Sequence, residues 1–356
     1  MPDRPLARSR LAAQGLIQPS WASPVDAVRA FGVMQGQDLP GVMASAALRA
    51  TGLVADVIAA MNAGELVRGY PMRGTVFLST AEDLRWITEL CAGRSLAEAR
   101  RRRERGDGIT EAEIRQVEQR VRELAPGKGL GRAEFMDLMA AERIDHRGGR
   151  GYHCIFTLIA EGVLCYGHWN GADQQLMLAD ELLGPGLEQR FNGDAVSATA
   201  ELAARYFRSH GPATVRDFAW WCKLPLRSIR AALPQLPDDV VHLGDEMYAS
   251  VSLPEIMDDV AQAASQPLLL PGFDEYILGY PDRLFAMDQA THDALVPGNN
   301  GMFRKSVIVD GVVRAFWSRG GPAGRRTLEL TELAGIPKRA QAGVRRRFAE
   351  YPFVQA

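Results

Sequence analysis

Two glutamines separated by one residue, Gln35 and Gln37, followed at once by Asp38, are the side chains whose types and spacing best suit a reaction. A glutamine amide has no useful pKa, so neither is an ordinary general base; each can hold a water by accepting one hydrogen bond and donating another. Positioning of that kind suffices only when the leaving group is already good. Loss of a ring-alkylated, positively charged purine from its sugar is such a case, because the oxocarbenium-like transition state asks for an oriented water and a nearby anion more than for a strong acid. The competing reading is a polar helix end with both amides solvated, and spacing alone does not separate the two. Asp38 stands either as support for the developing cation or as the cap of the following helix.

The elements that would position these groups are short. Apolar periodicity predicts helices over Val25–Met34, Leu39–Ala50 and Leu53–Ala63, with Gly36 and Pro40 breaking the chain between the first two. This places the glutamines at a helix–helix junction. Strands Leu66–Gly69 and Gly74–Leu78 follow, so three helices lead into a two-stranded wing, as in winged-helix relatives of the helix-turn-helix. The pattern recurs twice. Helices Glu111–Leu124, Arg132–Arg143 and Tyr152–Glu161 precede a wing around Asn170-Gly171, and helices Ala195–His210, Thr214–Cys222 and Leu226–Leu236 precede one at Gly244-Asp245. Past a helical linker, Pro254–Ser265, come short strands at Leu268–Leu270, Tyr276–Leu278, Ser306–Val309, Val312–Trp317 and Thr327–Leu330, as expected of a small barrel or curled sheet, and then a basic helix, Lys338–Tyr351. The fold class read from this is α+β: three tandem winged-helix domains (1–92, 93–190 and 191–253) followed by a small C-terminal β-barrel and a terminal helix (254–356). The repeated topology without repeated residues indicates tandem domains rather than a solenoid.

Composition bounds the partners. With 47% hydrophobic and 24% charged residues this is an ordinary globular chain, and its formal charge of -2 argues against a uniformly basic nucleic-acid binder. The charge is unevenly placed, however. Residues 301–356 hold eleven Lys or Arg against four acids, a balance of +7, and Arg100 to Arg105 holds five arginines around Glu104. Each is a phosphate-binding surface or a solvated helix face. Four widely spaced cysteines read as reduced core residues, six histidines without paired spacing make a metal site improbable, and the Gly127–Gly131 and Gly148–Gly151 clusters do not follow strands and read as connections. Trp220 and Trp221 read as core. A polar, basic N-terminus and the lack of a bilayer-length apolar run give the expectation of a cytoplasmic protein, with no membrane partner.

With these residues in view the chain resembles the bacterial winged-helix family of AlkZ- and YcaQ-type DNA glycosylases over nearly its whole length. The resemblance rests on Leu11-Ala12-Ala13-Gln14-Gly15-Leu16 and Met34-Gln35-Gly36-Gln37-Asp38, then on Met72-Arg73-Gly74-Thr75-Val76-Phe77-Leu78 with Asp83. It continues through Gly211-Pro212-Ala213-Thr214 with Asp217-Phe218-Ala219-Trp220, and Leu270-Pro271-Gly272-Phe273-Asp274-Glu275-Tyr276-Ile277-Leu278-Gly279-Tyr280 with Asp282-Arg283. It implies a C-shaped scaffold with double-stranded DNA in a basic channel. It also implies a monofunctional glycosylase that uses Gln35 and Gln37 to place the water, with no metal, no cofactor and no lysine Schiff base, acting as a monomer. Gly36 departs from the family's aliphatic residue between the glutamines, and Phe77 from a frequent histidine. DNA contacts are expected from Arg73, Thr75 and Arg283, whose alternative is internal salt bridging, and from Arg345, Arg346 and Arg347; the Asp310-Gly311 turn is either a groove probe or an ordinary hairpin end. Two further readings stand beside the enzyme: a non-catalytic DNA-binding regulator or damage sensor, and a protein-interaction scaffold.

Overall fold

The computed structural model describes residues 1–106, 108–254, 260–297, 301–322, 325–333 and 335–354. Asp3 opens α1 (Arg4–Ala13) by accepting from the Leu6 N–H, and Ser23 opens α2 (Pro24–Phe31), with Pro24 in the first turn where its missing N–H costs nothing. Gly32, at φ +78°, stops α2 short of the predicted Met34, because a residue without a Cβ enters that region freely. Val33–Gln35 is therefore strand β1 and not helix. After α3 (Leu39–Arg49) and α4 (Val54–Asn62) come β2 (Leu66–Met72) and β3 (Thr75–Thr80), joined by a tight turn at Arg73 and Gly74.

Helices α5 (Ala81–Cys91) and α6 (Gly93–Glu104) lead to α7 (Glu111–Leu124), α8 (Arg132–Ala141) and α9 (Arg150–Ala160), and then to β4 (Leu164–Trp169) and β5 (Gln174–Leu178). The strands expected as two separate wings form one five-stranded antiparallel sheet, β1-β3-β2-β4-β5, joined at the Arg68–Tyr166 pairing. Two short helices, α10 (Ala179–Leu182) and α11 (Leu187–Phe191), connect to α12 (Ala195–His210). Strand β6 (Ala213–Thr214), α13 (Val215–Cys222), α14 (Leu226–Ala232), β7 (Val240–Gly244) and β8 (Met247–Ser250) complete the third helix-and-ladder set. The predicted linker helix survives as α15 (Val260–Ala264); residues 255–259 lie outside the described residues.

The C-terminal region departs furthest from expectation. Strands β9 (Leu268–Leu270), β10 (Ser306–Val309), β11 (Val312–Gly320) and β12 (Thr327–Glu332) make an open four-stranded sheet with β9 and β12 at its edges, not a closed barrel. Strand β12 is almost wholly exposed, so it has no apolar face to bury in closing the sheet. A helix, α18 (Lys338–Ala349), covers the sheet instead, through Ala340 and Val344 packed with Leu269, Val307 and Trp317. Tyr276–Leu278, predicted as strand, belongs to a single helical turn, α16 (Glu275–Leu278), because Asp274 caps it by accepting from the Tyr276 N–H at 2.9 Å. Helix α17 (Gln289–Leu295) lies between this turn and β10. The Asp310-Gly311 turn is an internal hairpin end: Asp310 is buried, accepts from Arg8 at 2.6 Å, and Gly311 lies against Ala7.

The largest core is aromatic and crosses the chain, with Trp86, Tyr206, Phe218, Trp221, Tyr276 and Tyr280 all fully buried in one cluster. All four cysteines are unpaired and buried, as expected. No helix among the described residues is long and apolar enough to cross a membrane.

Two buried carboxylates couple this core to pH. Burial alone would push Asp274 up, but the Arg49 guanidinium, Ser45 and the Tyr276 N–H hold it below the usual carboxylate range; Asp83 is held down against burial by Arg205, Trp86 and Thr80. A depressed folded pKa gives stability that is full above the unfolded value, about 3.9, and is lost as pH falls through the folded one. His210 is pushed down by burial, partly opposed by Glu275, so the unfolded chain takes up its proton first, below about 6.5. Thermal melts against pH are expected to show a shallow decline beginning near pH 6.5 and a steep one below about pH 4. A melting temperature flat from neutral pH to about 3 contradicts this.

Candidate active site

Gln35 ends β1, which pairs antiparallel with β3 so that Gln35 stands opposite Phe77. Its backbone is held from one side by a carboxylate distant in sequence: the Gln35 N–H donates to Glu275 Oε1 at 2.6 Å. Glu275 is itself buried, and its other oxygen receives the Trp221 indole N–H at 3.2 Å and lies 3.3 Å from His210 Nε2. The next peptide is held too. The Gly36 N–H donates to the Val76 carbonyl at 2.8 Å, and the Gly36 carbonyl accepts from Arg68 at 3.0 Å. Arg68 in turn contacts Gln174 and Asp173, so the second helix-and-ladder set helps to fix the first.

The side chains form a directional relay. Arg73, a pure donor, gives a hydrogen bond to Gln35 Oε1 at 2.8 Å, and Gln35 Nε2 then donates to Gln37 Oε1 at 2.7 Å. Because guanidinium cannot accept, this order sets the orientation of both amides. Gln35 is 5% exposed, whereas Gln37 is exposed. Each amide has two N–H donors and two lone pairs. One of each on Gln35 is used in the relay, so a water at this edge can still accept from one amide and donate to the other.

The other residues singled out in the sequence fall into three groups. Arg73 joins the glutamines and Arg283 shares its aromatic neighbour: Arg283 donates to the Ile277 carbonyl at 3.1 Å, and both guanidiniums lie over the half-buried Trp220 ring, at 5.0 and 5.8 Å. Arg73 is thus an internal, half-buried hydrogen-bond partner of the motif. Trp221 is core as predicted; Trp220 is not fully so. Asp38 and Thr75 sit beside the motif. Asp38 occupies the N-cap position of α3 without a side-chain hydrogen bond to the helix, and the Thr75 hydroxyl is enclosed with no hydrogen-bond partner. Arg345, Arg346 and Arg347 lie on α18, where Arg346 reaches Gln266 and Arg347 pairs with Glu350 at 3.6 Å. None of these contacts reaches the glutamines. Sequence reasoning missed Glu275 and Arg68; for Glu275 the available signal was a pair of adjacent acids, Asp274 and Glu275, inside an otherwise apolar stretch, Phe273 to Leu278.

A family profile described as DNA glycosylase AlkZ-like matches residues 28–352. The chain belongs to the AlkZ-like DNA glycosylase family. Among AlkZ-like proteins, the interstrand DNA cross-link repair glycosylase of Streptomyces sahachiroi is 25% identical over 223 residues, which span 60% of this chain and 60% of that relative. The solved structure of the Streptomyces sahachiroi DNA glycosylase AlkZ is similar over 99% of this chain and 96% of that one, with a TM-score of 0.71 at 21% identity; this likeness concerns the fold.

Gly36 and Phe77, the two positions the resemblance marks as departures, each have a local explanation. A Cβ on Gly36 would meet Leu78 N at 2.9 Å and Phe77 C at 3.0 Å, both backbone atoms of β3, so here only glycine permits β1 to lie so close. Phe77 is fully buried, with the Arg73 guanidinium 5.0 Å from its ring centre, so it supports Arg73 rather than facing solvent. Gly36→Ala is expected to push β1 off β3 and displace both amides. The expected cost is roughly 1–3 kcal/mol in stability and roughly tenfold or more in kcat. A melting curve and a single-turnover assay check it, and wild-type values in both exclude the close approach as a constraint.

Proposed function

We propose that this chain hydrolyses the N-glycosidic bond of alkylated purines in double-stranded DNA, taking N7 or N3 adducts and extending to bulky adducts and interstrand crosslinks. Gln35 and Gln37 orient the attacking water. The water oxygen bonds to the sugar C1′, the bond to the purine nitrogen breaks with its electron pair leaving on the base, that pair neutralises the purine cation, and the water's proton passes to solvent. The observation that carries this reading is the Arg73–Gln35–Gln37 relay: the amides are held by side chains rather than by backbone groups, and the outer one is exposed. Membership in the AlkZ-like family, and the printed activity of the Streptomyces sahachiroi relative, support the same chemistry.

In this reading the enzyme is a cytoplasmic monomer with winged-helix units at 1–92, 93–190 and 191–253. Region 254–356 adds its basic face, Arg345 to Arg347, to the DNA surface with Arg283. Asp38 stands near enough in sequence to the amides to favour the developing sugar cation. The test is incubation with duplex DNA containing N7-methylguanine, followed by alkaline cleavage of abasic sites. Strand breaks are expected. None above the Gln35→Ala/Gln37→Ala control, on this substrate and on a crosslinked duplex, removes the proposal; sequence-specific binding in that event makes the chain a regulator.

A further inference from the structure

The Arg73 guanidinium that holds Gln35 also lines a second feature. A cleft of about 480 Å³ runs between the β2–β3 turn, α6, α9 and the end of α13, and it is bordered by Arg73, Arg94, Arg102, Lys223 and His153 against one acid, Glu98. Glu98 is engaged on the helix surface, 3.2 Å from Arg94 with both side chains well exposed. Among the described residues, Arg102 and Lys223 have no ion-pair partner. Four cations therefore converge on a wall that holds one carboxylate.

Gathering like charges is unfavourable unless an anion binds among them. The effect is visible on Lys223: burial pushes its ammonium down, and the neighbouring Arg73 and Arg94 charges push it further. Nothing in the core demands this arrangement, since Arg94 and Arg102 are exposed. Lys223 ends α13 in the left-handed region, at φ +62°, and its ammonium lies 5.0 Å from the Trp220 ring centre. A further polar group borders the cleft: His153 Nε2 is enclosed with no hydrogen-bond partner.

The cleft does not end at Lys223. An adjoining groove shares Arg94 and Lys223 and adds Trp220, Leu224 and Pro225. Cations beside a partly exposed indole suit one ligand chemistry better than a simple inorganic anion: a phosphodiester with the flat or apolar face of a nucleotide next to it.

We propose that Arg94, Arg102 and Lys223, with Arg73, form a phosphodiester subsite that grips the DNA backbone within one side chain of Gln35. The proposal rests on DNA being the substrate. Its consequence is a mechanical link, because the guanidinium that orients the first catalytic amide also contacts the strand. A bound phosphate and a correctly aimed Gln35 are then set by one residue.

The test is equilibrium binding of the full chain to a labelled, undamaged duplex across about 50 to 200 mM salt, by fluorescence anisotropy, for Lys223→Gln, Arg102→Gln and Arg94→Gln. Each loss of a phosphate contact makes the plot of log affinity against log salt shallower by about 0.9. Lys223→Arg, which keeps the charge, restores the slope. Arg147→Gln, at an exposed arginine paired with Asp145 and outside the cleft, leaves it unchanged. Unaltered slopes in Lys223→Gln and Arg102→Gln, or an equal reduction in Arg147→Gln, overturn the subsite. Since no base is released in this experiment, a protein that lacks glycosylase activity still reports on the cleft. Conversely, normal base release with unaltered slopes removes the subsite alone.

Discussion

Replacing Gln35 and Gln37 together by alanine is expected to lower kcat for release of N7-methylguanine by about 100-fold or more, the range found when a preorganised polar group facing a transition state is removed. The fold should persist. Gln37 is exposed, and loss of the Gln35 amide leaves Arg73 without one acceptor at a half-buried site, a cost of roughly 1–2 kcal/mol. Gln35→Glu makes the sharper comparison. A carboxylate keeps the acceptor for Arg73 but removes the N–H that donates to Gln37 Oε1, so the exposed Gln37 amide must turn to donate instead and the relay is reversed at one known point. If base release depends on that relay, Gln35→Glu falls close to the double variant in kcat while melting near the wild type. Wild-type turnover in Gln35→Glu would show that the direction of the amides is irrelevant and would sink the positioning mechanism.

The second large effect concerns stability. Arg49 and Asp274 are both fully buried and meet through two hydrogen bonds of 2.8 and 2.9 Å, supported by Ser45 and Gln14. Their attraction must offset the desolvation of both charges, so the pair matters mostly through what remains when one partner goes. Arg49→Met leaves the Asp274 carboxylate unpaired in the interior, and about 3–5 kcal/mol of stability is expected to be lost. In a chain of this size that is a fall of roughly 4–7 °C in melting temperature. Activity should drop as well, because Asp274 caps the turn that carries Glu275, whose carboxylate receives the Gln35 N–H. The double variant Arg49→Met/Asp274→Leu removes the stranded charge and should recover at least half of the lost stability. Calorimetry of the three proteins decides it: a single variant that melts with the wild type means that solvent reaches Asp274.

Local chemistry was readable in the chain itself. Periodicity placed the starts of α2, α7 and α13 to within one residue, because the caps that fix them, Ser23, Thr110 and Thr214, act within a single turn. Helix and strand periodicity located the ladders β2–β3, β4–β5 and β7–β8 to within a few residues, and the Gln-x-Gln spacing with its neighbouring segments was enough to suggest the family. Errors arose where a residue's neighbours in space come from far along the chain. Val33–Gln35 is a strand because β3 offers it a partner, and Tyr276–Leu278 is helical because Asp274 faces Arg49 and caps the turn; no local propensity encodes either partner.

The sequence by itself determined which side chains are candidates for the proposed chemistry, because amide donors and acceptors at a two-residue spacing are a local property of the chain. Only the tertiary structure decided that these amides are aimed. Arg73 orders them, Arg68 holds Gly36, and Glu275, 240 residues away, fixes the Gln35 backbone. It also decided that the last strands stay an open sheet, since closure depends on whether the first and last strands can meet and not on the pattern within each. Such contacts form when distant segments are brought together by burial of a shared aromatic core, a quantity summed over the whole chain that no single stretch carries.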